Sequence, residues 1–410
     1  MKNAVIVTLG CRLNQADSAL IADRLRRDGY EIVDGGAEKV DLVVVNSCAV
    51  TAQAVAKTRQ AVAKWRNRFP ESEIVLTGCA AEAEFEKFSA DPRIGKVKFN
   101  PGKRDLFGAD AAEKSLDVSR EDFAESAQGF FPFRHRALVK IQEGCDNFCT
   151  YCIVPYVRGP ARSRRAAEVI AECERLVAAG IPEIVLTGVN TCLYDSGGMT
   201  LGGLVREVCS IPGDFRVRLS STEPRMDNLE LLADLAACGD KLCSFLHLSL
   251  QHGDDAILRA MNRRYTTAEF AAFAAEARRI RPDLHLGTDV IVGFPGETAE
   301  AFARSCGFIE SMAFANIHIF SYSPRPGTPA ATFPGRVPPP EAKRRHGILA
   351  KLAEESAAAF RASQRGTVLK VIFEEVKQGR LHGWSDNYLE VFAPAGSAPI
   401  GKIVDFALTE

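Results

Sequence analysis

Three cysteines stand within eight residues of this sequence, Cys145, Cys149 and Cys152, in the segment GCDNFCTYC. The segment follows ALVKIQEG, a run that is typical of a β-strand. The Cys-x3-Cys-x2-Cys spacing offers three thiolates to one metal centre, and no nearby Cys or His completes a zinc tetrahedron. A 4Fe–4S cluster held by three thiolates keeps one iron open to another ligand. The spacing of these three cysteines therefore favours such a cluster over structural zinc or a metal-free group of thiols. They are called the barrel trio below, after the barrel domain predicted to contain them.

A second set of three cysteines follows strand-like runs near the N-terminus. The runs NAVIVTLG, DLVVVNS and EIVLTG alternate with helical patterns, which predicts a small parallel α/β sheet. Cys11, Cys48 and Cys79, the N-terminal trio, stand at the ends of these runs. Ligands of open parallel sheets bind beyond the carboxyl ends of the strands, so we expect the three thiols to converge on one point. The alternative is that they are small buried core residues.

The remaining patterns predict two further domains. The chain has 410 residues, 46% of them hydrophobic, which suffices for two or three domains with cores. After the first domain, 1–115, comes a polar linker, and 130–362 contains six strand–helix units, typical of a partial (β/α)6 barrel with its chemistry at the C-terminal strand ends. The last segment, 363–410, has short alternating strands with glycine turns, which indicates a small β-barrel. The predicted fold class is α/β.

Composition excludes some classes of protein. The formal net charge of −1 argues neither for nor against nucleic acid as a partner. The first apolar run is too short for a signal peptide, and no stretch approaches the roughly 18 apolar residues of a membrane span. We therefore expect a cytoplasmic protein with no membrane partner. In that compartment the twelve cysteines are expected to be ligands, nucleophiles or core residues rather than disulfides.

The segment GCDNFCTYC resembles the cluster-binding loop of radical S-adenosylmethionine (SAM) enzymes. The segments TLGCRLNQADS, VNSCAVT, LTGCAAE, TDVIVGFPGET and FSYSPRPGTPAA resemble the methylthiotransferases of that superfamily, and the C-terminal segment resembles their RNA-binding TRAM domain. The resemblance implies SAM and two 4Fe–4S clusters as cofactors. It assigns radical formation from SAM to the barrel trio and the supply of the transferred sulfur to the N-terminal trio.

Several residues near the predicted strand ends are candidates for binding SAM. By the resemblance, Tyr151 lies against the adenine ring. In LTGVN, Gly188 permits close approach of the backbone and Asn190 is placed to hydrogen-bond SAM, although an ordinary βα turn is an alternative. Ser221, Glu223 and Gln251 are further candidates, because they end predicted barrel strands. By the resemblance, Ile291 and Gly293 in VIVGFPGET belong to a stretch that contacts the adenine.

Basic residues flank the barrel trio and follow the fourth barrel strand. They are Arg134, Arg136, Lys140, Arg158, Arg162, Arg164, Arg165, Arg259, Arg263 and Arg264. Such residues can hold RNA phosphates without reading sequence, or can simply cover solvated helix faces. The substrate candidates among them are Arg158, Arg162 and Arg164. Arg12 joins them, because it directly follows Cys11 and could pair with a substrate carboxylate.

The resemblance also implies a substrate and partners. GCRLNQADS, SSTEP and FSYSPRPGTPAA favour the type that inserts a methylthio group at C2 of N6-threonylcarbamoyladenosine at position 37 of tRNA. The implied partners are tRNA and an electron donor such as flavodoxin or ferredoxin. LTGVN is closer to the type that acts on N6-isopentenyladenosine, and a type that acts on a ribosomal protein is a further alternative. A different class of protein, a non-catalytic RNA-binding protein stabilised by structural metal, also remains open.

Overall fold

The computed structural model describes residues 2–101, 106–107, 114, 135–224 and 229–409. The polar linker and the domain boundaries predicted at residues 115 and 130 lie outside the described residues. Within them, the fold is the expected α/β class, with a parallel sheet, a barrel and an antiparallel module in chain order. None of the described helices combines the length and the apolar character that a bilayer span requires.

The N-terminal domain is built on a parallel sheet, in the order β2-β1-β3-β4-β5 over the residues described. Its strands are β1 (Lys2–Thr8), β2 (Tyr30–Ile32), β3 (Leu42–Ser47), β4 (Glu73–Gly78) and β5 (Lys96–Val97). Its helices are α1 (Arg12–Arg27), α2 (Ala52–Arg68), α3 (Cys79–Ala83) and α4 (Phe85–Ser89). Every residue of β3 is buried, as expected for a central strand covered on both faces. The prediction of a small parallel sheet is confirmed.

The central domain carries the six predicted strands, all parallel, in two sheets that meet where β12 runs through Ser220 into β13. The strands of its described part are β6 (Arg136–Lys140), β7 (Gln142–Glu143), β8 (Arg162–Ser163), β9 (Glu183–Thr187), β10 (Asp195–Ser196), β11 (Met199–Thr200), β12 (Arg216–Leu219), β13 (Ser221–Thr222), β14 (Phe245–Leu248), β15 (His285–Val292) and β16 (Asn316–Ser321). The barrel order is β6-β9-β12 followed by β14-β15-β16.

Helices cover the outside of this partial barrel. They are α5 (Val154–Arg158), α6 (Ala166–Ala178), α7 (Leu201–Ser210), α8 (Leu229–Ala237), α9 (Asp255–Ala260), α10 (Thr267–Ile280), α11 (Ala299–Ser311) and α12 (Pro339–Ser363), with short 3-10 turns at Thr191–Leu193, Gly239–Lys241 and Pro329–Thr332. The pairs β7–β8 and β10–β11 are antiparallel and were not predicted. The second is a hairpin whose turn residues, Gly197 and Gly198, both have positive φ, so the Gly-Gly pair was its sequence signal.

The C-terminal module is a four-stranded antiparallel half-barrel within the described residues, in the order β19-β18-β17-β20. Its strands are β17 (Val368–Lys377), β18 (Arg380–Ser385), β19 (Glu390–Pro394) and β20 (Ile403–Ala407). Alternate side chains form its small core, among them Leu369, Val371, Phe373 and Val391. This arrangement is consistent with a TRAM-like domain.

A buried ionic group fastens the C-terminal module to the barrel. Glu183, at the start of β9, is fully buried and accepts hydrogen bonds from Arg216 (2.6 Å) and Arg218 (2.9 Å). The same two guanidinium groups donate to backbone carbonyls of the module, Arg216 to that of Lys370 (2.7 Å) and Arg218 to that of Ser385 (3.0 Å). Despite its burial, these arginines hold the pKa of Glu183 far below its usual value. The charge therefore fixes the position of the loop that follows β18.

Replacing Glu183 by Gln should destabilise the fold and loosen this module. Removing one partner of a buried ionic group typically costs about 3–5 kcal/mol, because the remaining charges stay buried without compensation. Urea unfolding of Glu183→Gln should show that loss, and limited proteolysis should release the module faster. Glu174→Gln, on the exposed face of α6, is the matched control and should change stability by less than about 0.5 kcal/mol. Equal stability of the two variants would contradict the assignment.

Candidate active site

The N-terminal trio lies at the carboxyl edge of the first sheet. Cys11 is the N-cap of α1, Cys48 follows β3 directly, and Cys79 opens α3 immediately after β4. Since β1, β3 and β4 are neighbours, the three thiols come to one edge, as predicted. Gly10, with φ +98°, makes the approach possible, because a Cβ at this position would lie 2.8 Å from the sulfur of Cys48.

The electrostatic surroundings of this trio are arranged by one buried arginine. Burial and the neighbouring Cys79 raise the pKa of Cys48 to about 11, so a bound metal would favour its thiolate form. Arg158 Nε lies 3.3 Å from the sulfur of Cys79. The rest of its guanidinium group pairs with Glu143 (2.7 Å) and Asp17 (3.1 Å). Arg158 therefore links the N-terminal trio to the barrel.

The barrel trio occupies the loop between β7 and α5. Burial raises the pKa of Cys145 to about 11 and that of Cys152 to about 12, in each case with a contribution from Cys149. The guanidinium group of Arg263 donates to the sulfur of Cys149 at 3.4 Å. Among the described residues, each trio thus has one arginine at hydrogen-bond distance from one of its sulfurs.

The separation of the sulfur atoms distinguishes between metal centres. In neither trio do all three sulfurs lie within 4.8 Å of one another. Three thiolates bound to one zinc ion at about 2.3 Å would be about 3.8 Å apart. The wider spacing suits a polynuclear cluster, whose irons bind one thiolate each. The donor set and its spacing therefore fit a 4Fe–4S group better than a single zinc ion.

Glu223, predicted as a SAM contact, is the centre of a buried polar network beside the barrel trio. Its carboxylate accepts from Asn147 (2.5 Å) and Asn190 (2.8 Å), and it forms an ion pair with Arg263 (2.7 Å). The side-chain oxygen of Asn190 is buried and has no partner among the described residues. An orphaned acceptor of this kind fits a ligand with a donor group, such as the amino group of SAM.

Gly188 and Gln251 shape two loops at the strand ends through their backbones. A Cβ at Gly188 would come within 2.9 Å of Gln142, whose side chain accepts from the backbone N–H groups of Val189 and Asn190 at 2.9 Å each. Gln251 has φ +70°, an uncommon conformation for this residue type, and its backbone pairs with that of Asp289 and Ile291. The loops after β9 and β14 are thus held rigidly at the strand ends.

The remaining SAM candidates lie in two places. Tyr151 and Ile291 share one apolar group, together with Phe294. Gly293 has φ +76°, and its N–H donates to the carboxylate of Glu297. Ser221 is exposed and faces the cavity described next.

A cavity of about 520 Å³ lies where the three domains meet. The N-terminal trio lines one part of it, barrel residues including Ser221, His247, Asp289 and His318 line another, and the C-terminal module contributes Tyr388. Burial lowers the pKa of His285, also in the wall, to about 3, so its ring is neutral at physiological pH. The volume is sufficient for a nucleoside-sized ligand.

Arg12 and Tyr388, from opposite ends of the sequence, contact each other in the cavity wall. The Arg12 guanidinium donates to the Tyr388 hydroxyl at 2.7 Å and lies 5.3 Å from its ring centroid. Tyr388 has φ +60° and packs against Phe245, with ring centroids 4.9 Å apart. A positively charged fork is thereby held at the cavity wall, where it could bind a carboxylate.

The structure places several of the predicted phosphate-binding arginines in the interior. Arg158 is buried in the network described above, and Arg164 is buried and paired with Glu172 at 2.6 Å. Arg136 forms two hydrogen bonds to Glu374. Lys140 and Arg263 are also enclosed in ion pairs. These positions do not suit a role in gripping an RNA backbone.

Other basic residues remain suited to that role. Arg162 is half-buried on β8, while Arg165, Arg259 and Arg264 are exposed; Arg134 lies outside the described residues. Charge counting in the sequence could not separate these two groups, because the buried acidic partners lie on other helices and strands.

Two parts of the chain match known protein families, and the whole chain is similar to tRNA-modifying enzymes. Residues 139–309 match the Radical SAM superfamily, and residues 3–97 match the Uncharacterized protein family UPF0004. The chain is 35% identical to the threonylcarbamoyladenosine tRNA methylthiotransferase MtaB of Thermotoga maritima, over 95% of this chain and 91% of that protein. It is 34% identical to the tRNA-2-methylthio-N(6)-dimethylallyladenosine synthase of Jannaschia sp., over 100% and 92%.

Solved structures are similar in fold. The radical SAM methyltransferase TsrM of Kitasatospora setae, with tryptophan and a SAM analogue bound, aligns with a TM-score of 0.57 at 16% identity, over 81% of this chain and 75% of that one. The cobalamin-dependent radical SAM enzyme OxsB aligns with a TM-score of 0.54 at 11% identity, over 87% and 56%. At these identities the likeness supports the architecture alone.

Proposed function

Because the chain belongs to the radical SAM tRNA methylthiotransferase family, we propose that it inserts a methylthio group at C2 of N6-threonylcarbamoyladenosine at position 37 of tRNA. Membership of an enzyme family argues against a non-catalytic RNA-binding protein with structural metal. The relatives carry both threonylcarbamoyl and dimethylallyl names at nearly equal identity, so identity does not choose between the two substrates.

The proposed cofactors follow from the two trios. The barrel trio would hold the 4Fe–4S cluster that the family requires, and the N-terminal trio would hold a second one. When bound, these groups and SAM supply the radical and the sulfur. The chain's part is to hold them: Arg158 and Arg263 balance thiolate charge, and Glu223 with Asn190 offers polar contacts for SAM. An electron donor such as flavodoxin or ferredoxin completes the proposal.

The proposal of a threonylcarbamoyl substrate rests mainly on the position of Arg12 in the cavity wall. Threonylcarbamoyladenosine bears a carboxylate, which a guanidinium can bind through two parallel hydrogen bonds. An isopentenyl group has no atom that could accept them. The hydroxyl of Tyr388 holds Arg12 in place from the other side, so the fork is already oriented before substrate binds.

We expect the reconstituted enzyme, given SAM and a reductant, to methylthiolate tRNA that carries threonylcarbamoyladenosine far faster than tRNA that carries isopentenyladenosine. Arg12→Ala should lower kcat/KM on the first substrate about 10- to 100-fold, since a charged hydrogen bond contributes about 1.5–3 kcal/mol. Nucleoside mass analysis of the digested tRNA measures the product.

Two variants sharpen this test. Arg12→Lys keeps the charge but not the two-pronged geometry, and should recover only part of the rate. Arg24→Ala removes an exposed arginine from the same helix, α1, and should leave the rate unchanged. A preference for isopentenyl tRNA would overturn the substrate assignment. Equal rates for Arg12→Ala and the unmodified enzyme would remove Arg12 from the argument.

A further inference from the structure

Three potential metal ligands project into the cavity from three successive barrel strands. His247 lies on β14, Asp289 on β15 and His318 on β16. In the strand register, Asp289 is paired with His318, and His247 is paired with Gly287, two residues before Asp289 on the same face. The sheet therefore brings one carboxylate and two imidazoles together, and their ligand atoms all lie within 4.8 Å of one another.

The distances within this group suit adjacent positions around one ion. Asp289 Oδ1 is 3.1 Å from His247 Nε2 and 3.2 Å from His318 Nδ1. Ligand atoms bound to one ion at about 2.0–2.2 Å, at right angles, are separated by about 3 Å. His318 Nδ1 is also within hydrogen-bonding range of Asp289.

The hydrogen bonding of the buried His247 ring is a second observation that supports a metal site. This side chain is more than nine-tenths buried, yet its Nε2 makes no hydrogen bond of acceptable geometry to any described residue, although Asp289 is so close. A buried nitrogen that lies beside a carboxylate without a well-formed hydrogen bond to it requires an explanation, and an ion bound between the two groups is one. Two ligand atoms that converge without a hydrogen bond between them are arranged as they would be around a shared ion.

Neighbouring groups hold these ligands in place. The hydroxyl of Ser249 donates to Asp289 Oδ2 at 3.3 Å, which leaves Oδ1 directed at the histidines. Position 287 must be glycine for the His247 ring to lie where it does, because a Cβ there would be 2.9 Å from Nδ1. Supporting contacts of this kind orient metal ligands in proteins.

We propose that His247, Asp289 and His318 bind a divalent transition-metal ion whose remaining coordination positions face the cavity. Two imidazoles and one carboxylate are a ligand set that first-row metals such as iron, manganese and zinc accept, with positions left open. This site is separate from both cysteine trios, because it uses none of their residues.

The role of the ion rests on the proposed function. A threonylcarbamoyl group carries a carboxylate, a hydroxyl and a carbonyl oxygen, so it has enough oxygen atoms to accept hydrogen bonds from Arg12 and to coordinate an ion at the same time. An isopentenyl group offers no oxygen to either. The ion would therefore add to the preference for the threonylcarbamoyl substrate by coordinating one of its oxygens.

The test uses the cluster-loaded enzyme, oxidised so that its 4Fe–4S clusters are diamagnetic, with Mn²⁺ alone as the probe. Loss of the free Mn²⁺ signal in electron paramagnetic resonance should reveal one saturable site per chain. His247→Gln and His318→Gln should each weaken that binding at least tenfold, as should Asp289→Asn. His346→Gln, on α12 and outside the cavity, should bind Mn²⁺ as the unmodified chain does. Iron content and thermal unfolding confirm that each variant is folded and loaded.

Two results would overturn the site: an undiminished Mn²⁺ signal with the unmodified enzyme, or equal binding by the three cavity variants. Both are measured without tRNA, so they are independent of the substrate assignment. Addition of the threonylcarbamoyladenosine nucleoside should alter the bound Mn²⁺ spectrum, while isopentenyladenosine should not. An unaltered spectrum with both nucleosides would overturn the role of the ion in substrate binding.

Discussion

Changing Cys145, Cys149 or Cys152 to alanine should abolish reductive cleavage of SAM. In the proposed cluster each thiolate would hold one iron, and a cluster that had lost a ligand would no longer keep a single defined open iron for SAM. We expect 5′-deoxyadenosine formation, measured by liquid chromatography after anaerobic reduction, to fall to the background of enzyme-free samples. Methylthiolated tRNA should disappear with it, because no radical forms.

The matched control is Cys306→Ala, which removes a partly exposed thiol from α11, away from both trios. It should cleave SAM as fast as the unmodified enzyme. Undiminished 5′-deoxyadenosine from any of the three barrel-trio variants would show that the radical centre lies elsewhere in the chain.

The triple change of Cys11, Cys48 and Cys79 to alanine should separate radical formation from sulfur transfer. Iron should fall from about eight to about four atoms per chain, as expected for the loss of one of two 4Fe–4S clusters. SAM cleavage should survive, since the barrel trio and the network around Glu223 are untouched. The 2-methylthio product should become undetectable by nucleoside mass analysis.

This second experiment has its own internal check. Arg158 contacts Cys79 and is buried with Asp17 and Glu143, so removing the thiols could disturb the barrel through that arginine. Circular dichroism and the retained four irons would establish that it does not. Joint loss of SAM cleavage and product in a folded, iron-retaining variant would contradict the division of labour between the trios.

The cysteine trios and the main strands were predictable because their signals are local. A thiol directly after an apolar run is placed at a strand end by the fold itself, as Cys48 and Cys79 are. The assignment of Arg158 and Arg164 to RNA contact was a different kind of inference. Their partners, Asp17 and Glu172, lie 141 and 8 residues away, and nothing in an arginine's own neighbourhood reveals a buried acidic partner on another element.

The position of the cavity was predictable from the sequence, but the residues that line it were not. That the barrel mouth would carry the chemistry followed from the strand ends. That His247, Asp289 and His318 share one face required the strand register, which sequence patterns do not give for parallel strands. The contact between Arg12 and Tyr388 joins residues 376 positions apart, so only the folded chain could place them together.

The C-terminal module has a consequence for protein engineering. Its loop after β18 is anchored by Arg218 and carries the tyrosine that meets Arg12. Grafting the equivalent module from a relative with another substrate would therefore replace part of the cavity wall. Chimeras of this kind should show altered choice of nucleoside, and a truncated chain that ends after α12 should leave the cavity open on one side.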